Sequence, residues 1–153
     1  MRLVETTRQP LRVLVDSRLE VNPAARLFEG KGKVLVATAS TDRDRKVALK
    51  ERGAEIADLP NAHGKVDLPA LMKELARRQV NEVHVEAGFR LNGSLVEAGV
   101  VDELLVYLAP LLIGEAQGMV HLPELSDLAH AQRLQFREVT SVGDDVRILA
   151  RLV

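Results

Sequence analysis

The chain has 153 residues, a formal net charge of −1 at pH 7, 46% hydrophobic residues and no cysteine. This composition predicts a single domain, residues 1–153, that buries about 70% of its unfolded surface. The charge and the 3% aromatic content offer no basis for binding nucleic acid or an anionic membrane. The absence of cysteine excludes disulfides, thiol catalysis and cysteine-ligated zinc. No apolar run approaches a membrane span and no signal-peptide pattern is present, so we expect a cytoplasmic protein.

Three short apolar strands are predicted in the first half of the chain, at residues 11–15, 33–37 and 54–57. Open α/β sheets bind ligands beyond the carboxyl ends of their parallel strands. Ser17 follows the first strand and is therefore a candidate ligand residue. Serine at such a position is more often a turn residue that bonds local backbone, and both roles stay open at this point.

Two helices are predicted to connect these strands. The first has a capping-box spacing between Thr41 and Asp44 and ends before Gly53, which suits the position past a helix end. The second is capped by Asp67. It carries one apolar stripe toward the sheet, formed by Leu68, Leu71, Met72 and Leu75.

The stretch of residues 80–114 predicts the centre of the fold. A strand at residues 82–85 leads into the turn Glu86-Ala87-Gly88, which is followed by a helix at residues 91–98. In this arrangement Glu86 points at a ligand, while the amides that begin the helix face an anion. The alternative is that Glu86 only orients the turn and that Gly88 merely permits it.

The remaining strands complete the predicted sheet. Residues 104–109 are apolar on both faces, which is typical of a central strand covered on both sides. Residues 134–139 and 146–152 flank Gly143-Asp144 and predict an antiparallel hairpin. We therefore predict an α/β fold with a mainly parallel twisted sheet, flanking helices and a C-terminal antiparallel hairpin, in which the carboxyl ends of the parallel strands bring Ser17, Thr38 and Glu86 to one edge.

The reactive side chains are few. The four histidines have no metal-ligand spacing, so we assign no metal site, and His84 is predicted to be a packed or hydrogen-bonded sheet residue between two valines. No nucleophile motif is present. Hydride transfer fits such a chain, because the cofactor supplies the difficult chemistry and the protein supplies binding and orientation.

The sequence VEAGFRLNGSLVEAGVVDELLVYLAPLLIG closely resembles the C-terminal reductase domain of the bifunctional riboflavin-biosynthesis deaminase–reductase. The segments QPLRVLVDSRL, KVLVATA, GKVDLPALMKELARRQVNEV and VGDDVRILARL extend the resemblance over nearly the whole chain. It implies a three-layer fold like that of dihydrofolate reductase. It also implies NADPH-dependent reduction of 5-amino-6-(5-phosphoribosylamino)uracil to the ribityl product.

The resemblance also implies roles for individual residues. Glu86 corresponds to a glutamate that contacts the substrate, and Ser17 to a serine that contacts the cofactor. The residues that hold NADP correspond to Gly88, Phe89, Arg90, Leu91, Asn92, Gly93 and Ser94. Phe89-Arg90 replaces a common Pro-Thr pair, so a threonine hydroxyl contact at position 90 is lost. No catalytic side chain is assigned.

The resemblance does not extend over the whole family protein. The zinc deaminase motifs HAE and PCxxC are not found, and neither is the first third of the reductase domain. We therefore expect an N-terminally truncated reductase domain with weak activity of its own, and a homodimer, since the family's reductase domains pair. The alternative is a non-catalytic nucleotide-binding or assembly module derived from that reductase.

Overall fold

The computed structural model describes residues 9–30 and 32–153. The chain forms two compact units, which meet in sequence between Val80 and Asn81. In the described part of the chain, each unit contains one three-stranded sheet.

The sheet of the first unit is entirely parallel. It contains β1 (Arg12–Val15), β2 (Val34–Thr38) and β3 (Ala54–Asp58), with β2 in the centre. All of the residues of β2 are buried, as expected for a strand with a neighbour on each side and both faces covered. The three strands predicted in this half of the chain are confirmed.

Two helices accompany this sheet, α1 (Arg43–Glu51) and α2 (Leu68–Arg77). The predicted cap of α2 is confirmed, since the Asp67 carboxylate accepts a hydrogen bond of 2.8 Å from the amide of Ala70. The predicted cap of α1 is wrong by one residue. Asp42 caps this helix by accepting from the amide of Arg45 at 3.0 Å, and its negative charge favours the positive helix start more than a hydroxyl does.

The core of the first unit is built from aliphatic side chains. Leu19, Val36 and Leu49 are at most 1% exposed and belong to one cluster around β2. The apolar stripe of α2 is also confirmed, because Leu71 and Leu75 are at most 2% exposed. Burial of this kind stabilises a domain by about 1.5–3 kcal/mol for each fully buried large side chain.

The second unit contains α3 (Phe89–Glu97) and the strands β4 (Glu103–Leu108), β5 (Leu134–Val142) and β6 (Asp145–Leu152). Its sheet is antiparallel in the order β4-β6-β5. The predicted C-terminal hairpin is confirmed, and Gly143 in its turn has a φ of 62°, which glycine adopts at no steric cost. The two units thus provide the parallel sheet, the helices and the antiparallel hairpin of the predicted mixed α/β fold.

The position of β4 differs from the prediction. It is an edge strand paired with β6, from Glu103 opposite Arg151 to Leu108 opposite Val146, and is not a central parallel strand. Leu105 and Tyr107 are 45% and 55% exposed. A run of apolar residues indicates a strand but does not specify which strand pairs with it, and this is why the prediction failed.

The predicted strand at residues 82–85 is wrong as well. Residues 81–88 are in no strand or helix of the described chain. A strand needs a neighbour that exchanges backbone hydrogen bonds with it, and this segment has no ladder partner among the residues that the structure describes. Val83 and Val85 are consequently 40% and 45% exposed, and the His84 side chain is 69% exposed instead of packed.

No helix among the described residues has the length and the apolar character needed to cross a membrane.

Candidate functional site

Ser17 lies at the carboxyl end of β1, where backbone and side chain join three segments of the first unit. Its hydroxyl oxygen accepts a hydrogen bond of 3.1 Å from the amide of Val66. Its carbonyl oxygen accepts from the amide of Ala39 at 3.3 Å and from the hydroxyl of Thr38 at 3.4 Å. Ser17 and Thr38 therefore share one edge of the parallel sheet, as predicted for this pair.

The hydroxyl of Ser17 retains capacity for a further hydrogen bond. A serine hydroxyl offers one donor and two acceptor lone pairs, and the Val66 amide occupies one lone pair. The residue is half-buried, and its hydrogen bond to Val66 is partly buried. The structural and the ligand-binding roles left open by the sequence are thus chemically compatible.

Glu86 lies in the segment that precedes α3, which belongs to no strand or helix, and not at the end of a strand. Its side chain is 86% exposed, and the Nε2 atom of His84 lies 3.6 Å from its Oε1 atom. An exposed pair of this kind contributes little to stability. The carboxylate is therefore available to accept hydrogen bonds from a ligand.

The start of α3 is a second candidate feature. Gly88 is the N-cap residue and provides no side-chain cap, and the first helical hydrogen bond runs from the amide of Asn92 to the carbonyl of Gly88 at 3.0 Å. The amides of Phe89, Arg90 and Leu91 precede that bond and have no acceptor within the helix. Such amides, together with the helix dipole, favour a bound anion.

Glycine at position 88 is not required by its backbone, since its φ is −86°. Within the described chain, no atom lies within 4 Å of the place where a Cβ would stand. The lack of a side chain therefore leaves the approach to the first amides of α3 open.

Residues 118–121 lie along the start of α3, although they are far from it in sequence. The amide of His121 donates to the carbonyl of Phe89 at 3.0 Å, and the two rings are in contact with centroids 4.9 Å apart. The side-chain amide of Asn92 donates to the carbonyls of Ala87, at 3.2 Å, and Met119, at 3.0 Å. We call residues 119–121 the crossing segment.

Gly93 allows the crossing segment to approach the helix. A Cβ at this position would overlap the carbonyl oxygen of His121, so any other residue would displace the segment. The crossing segment was not predicted from the sequence. The one available signal was a glycine in a helix interior, which costs about 1 kcal/mol relative to alanine and often marks such a close approach.

The other predicted cofactor residues differ in exposure. Arg90 and Ser94 are exposed, whereas Leu91 is half-buried. The predicted helix begins earlier than expected, so all residues from Phe89 to Ser94 lie in α3. In the part of the chain that the structure describes, no group of three or more His, Asp or Glu side chains is arranged to hold a metal ion.

The family model for the RibD C-terminal domain matches residues 1–148. The chain belongs to this family. Among the relatives of this RibD C-terminal domain is the riboflavin biosynthesis protein RibD of Escherichia coli, which is 39% identical over 145 residues. The match covers 93% of this chain and 38% of the E. coli protein.

Two further proteins illustrate the extent of the similarity. The 5-amino-6-(5-phosphoribosylamino)uracil reductase of Buchnera aphidicola is 29% identical, and the match covers 93% of this chain and 67% of that protein. The structure of Acinetobacter baumannii RibD superposes with a TM-score of 0.78 at 24% identity, covering 93% of this chain and 37% of that one. The chain thus spans less than two fifths of the length of these two RibD proteins. The structural neighbours are reductase domains with the fold of dihydrofolate reductase, which confirms the fold predicted by the resemblance.

Proposed function

We propose that this chain is the reductase part of a riboflavin-biosynthesis enzyme. Its reaction is the NADPH-dependent reduction of 5-amino-6-(5-phosphoribosylamino)uracil, in which the ribose becomes a ribityl chain. Two findings support the proposal: the chain belongs to the RibD C-terminal domain family, and a similar protein from Buchnera aphidicola is named as this reductase.

The start of α3 is the observation that carries the cofactor assignment. NADPH is an anion, and the amides of Phe89, Arg90 and Leu91 form an uncapped helix start that Gly88 leaves accessible. We assign cofactor binding to the residues from this turn into the helix, chiefly through the amides of Phe89, Arg90 and Leu91. The assigned residues are Gly88, Phe89, Arg90, Leu91, Asn92, Gly93 and Ser94. The exposed guanidinium of Arg90 adds positive charge beside these amides.

Ser17 and Glu86 are assigned from their own surroundings. The hydroxyl hydrogen of Ser17 is free to donate to the cofactor while its oxygen still accepts from Val66. The exposed carboxylate of Glu86 accepts hydrogen bonds from hydroxyl or amino groups of the substrate. When bound, NADPH supplies the hydride, and the side chains of this chain bind and orient the reactants.

We expect the 153 residues to bind NADPH more readily than they turn over substrate. A third of the Buchnera reductase is not matched by this sequence, because the match covers 67% of that protein. Hydride transfer depends on close positioning, and a misplacement of about 1 Å reduces the rate by about a hundredfold.

The test is a titration of the purified chain with NADPH, with NADH for comparison, followed by an assay with the aminouracil ribosyl phosphate. We expect saturable NADPH binding in the wild type. We expect Glu86→Gln to bind NADPH normally but to weaken substrate binding, and the exposed helix residue Glu97→Gln to change neither affinity. No NADPH binding would contradict the proposal. NADPH binding without any detectable reduction of the aminouracil ribosyl phosphate would favour the non-catalytic module.

We also propose that the chain forms a homodimer. The second unit exposes large apolar side chains on its strands, of which Tyr107, Leu108 and Phe136 are 55%, 60% and 66% exposed. Exposed apolar residues at a sheet edge favour pairing with a second copy.

A further inference from the structure

We infer that Asn92 is a positioning residue, whose side chain fixes both the turn before α3 and the crossing segment beside it. This inference rests on the proposed function, because it assigns to Asn92 an indirect role in the cofactor site. It is carried by contacts within the second unit.

Both hydrogens of the Asn92 side-chain amide are donated to backbone carbonyls. The nitrogen lies 3.2 Å from the carbonyl oxygen of Ala87 and 3.0 Å from that of Met119. Carbonyl oxygens only accept hydrogen bonds, so both partners require the NH₂ group of Asn92 and determine its orientation. Both donors are therefore used on backbone, and neither is available to a phosphate.

These two carbonyls belong to parts of the chain that are distant in sequence. Ala87 lies between Glu86 and Gly88, in the turn that aims the first amides of α3. Met119 begins the crossing segment, which is 27 residues away in sequence. One side chain thus connects the turn with a distant loop.

Two other features support the contact between the crossing segment and α3. The amide of His121 donates to the carbonyl of Phe89 at 3.0 Å. At Gly93, any Cβ would overlap the carbonyl of His121, so glycine is the residue that lets the segment reach the helix. Asn92 binds the crossing segment by a hydrogen bond to Met119, and the absence of a side chain at Gly93 leaves space for the carbonyl of His121.

The backbone amides at the start of α3 and the side chain of Asn92 therefore have different roles. The backbone amides of Phe89, Arg90 and Leu91 remain available to the cofactor of the proposed function, while Asn92 holds the segment before them and the crossing segment in place. A loss of this connection is expected to weaken cofactor binding through disorder of the turn, with no direct contact removed.

The test uses Asn92→Asp, which keeps the shape of the side chain and replaces the NH₂ donors with an oxygen that repels both carbonyls. Glu97→Gln, an exposed residue of the same helix, is the matched control. Hydrogen exchange of the His121 amide in the free protein measures the contact without any ligand. The loss of two hydrogen bonds is expected to speed this exchange at least tenfold in Asn92→Asp, but not in Glu97→Gln.

Gly93→Ala provides an independent perturbation, because it displaces the crossing segment and leaves the Asn92 amide intact. If both variants act on one contact, the double variant is expected to exchange no faster than the faster of the single variants. Asn92→Ala serves as a milder variant if Asn92→Asp fails to fold. Unchanged exchange at His121, or exchange that only follows a lowered global stability, would overturn the inference.

NADPH titration of the same variants connects the inference to the cofactor. We expect about a tenfold higher dissociation constant for Asn92→Asp than for the wild type. Faster exchange at His121 with unchanged NADPH affinity would refute the role in the cofactor site. A wild type that does not bind NADPH would refute the proposed function instead, and the exchange measurement would still decide whether Asn92 anchors the segment.

Discussion

Replacement of Ser17 by alanine tests the structural role of this residue, which is separate from its proposed contact with the cofactor. Ser17→Ala removes the hydroxyl oxygen that accepts a hydrogen bond of 3.1 Å from the amide of Val66. The hydrogen bonds from the Thr38 hydroxyl and the Ala39 amide to the carbonyl of residue 17 do not depend on the Ser17 side chain and remain possible. The variant therefore leaves one amide without a partner.

The magnitude follows from the burial of that amide. Val66 is 4% exposed, so water does not readily replace the lost acceptor. An unsatisfied buried amide costs about 1–3 kcal/mol of folding free energy. With a urea m-value of about 1–3 kcal/mol/M, a loss of about 1.5 kcal/mol lowers the unfolding midpoint by about 0.5–1.5 M.

The matched control is Ser40→Ala, at the carboxyl end of the neighbouring strand. The hydroxyl of Ser40 accepts from the amide of Asp42 at 3.2 Å, but this hydrogen bond is exposed. Water can satisfy that amide, so we expect a loss of less than about 0.5 kcal/mol. Urea unfolding monitored by circular dichroism compares the variants, and equal midpoints for Ser17→Ala and Ser40→Ala would refute the structural role of Ser17.

Three further predictions concern stability and assembly. Asp67→Ala removes the cap of α2 and is expected to lower the free energy of unfolding by about 1 kcal/mol. The same urea experiment measures this change, and an unchanged midpoint would contradict the stabilising role of the cap. Hydrogen bonds from Arg77 and Arg78 lower the pKa of Glu74 from 4.5 to about 2. A lowered pKa in the folded state means that the stabilisation is complete above pH 4.5 and is lost as the pH falls toward 2, so the wild type should lose more stability than Glu74→Gln between pH 6 and pH 3; parallel pH curves would contradict this. Light scattering is expected to show a dimer at micromolar concentration that Phe136→Ser weakens, and a monomeric wild type would exclude the proposed pairing.

Local chemistry determined much of the fold from the sequence alone. The alternation of apolar strands with helices predicted the strands of the parallel sheet, and Asp67 and Gly53 marked the start of α2 and the end of α1. The glycine in the C-terminal hairpin predicted its turn. These features depend on neighbouring residues and on the backbone freedom of single positions, which a sequence displays directly.

Tertiary structure decided which segments meet. Only the fold shows that β4 pairs with β6 and that residues 81–88 join no ladder within residues 9–30 and 32–153. The same holds for the bond from Val66 to Ser17, across 49 residues, and for that from Asn92 to Met119, across 27. Hydrophobic period indicates which face of a strand is buried but not which partner covers it, and a serine or asparagine side chain bonds near or distant backbone equally well. Contacts between residues far apart in the chain are therefore determined by the packing of the elements and not by their local sequence.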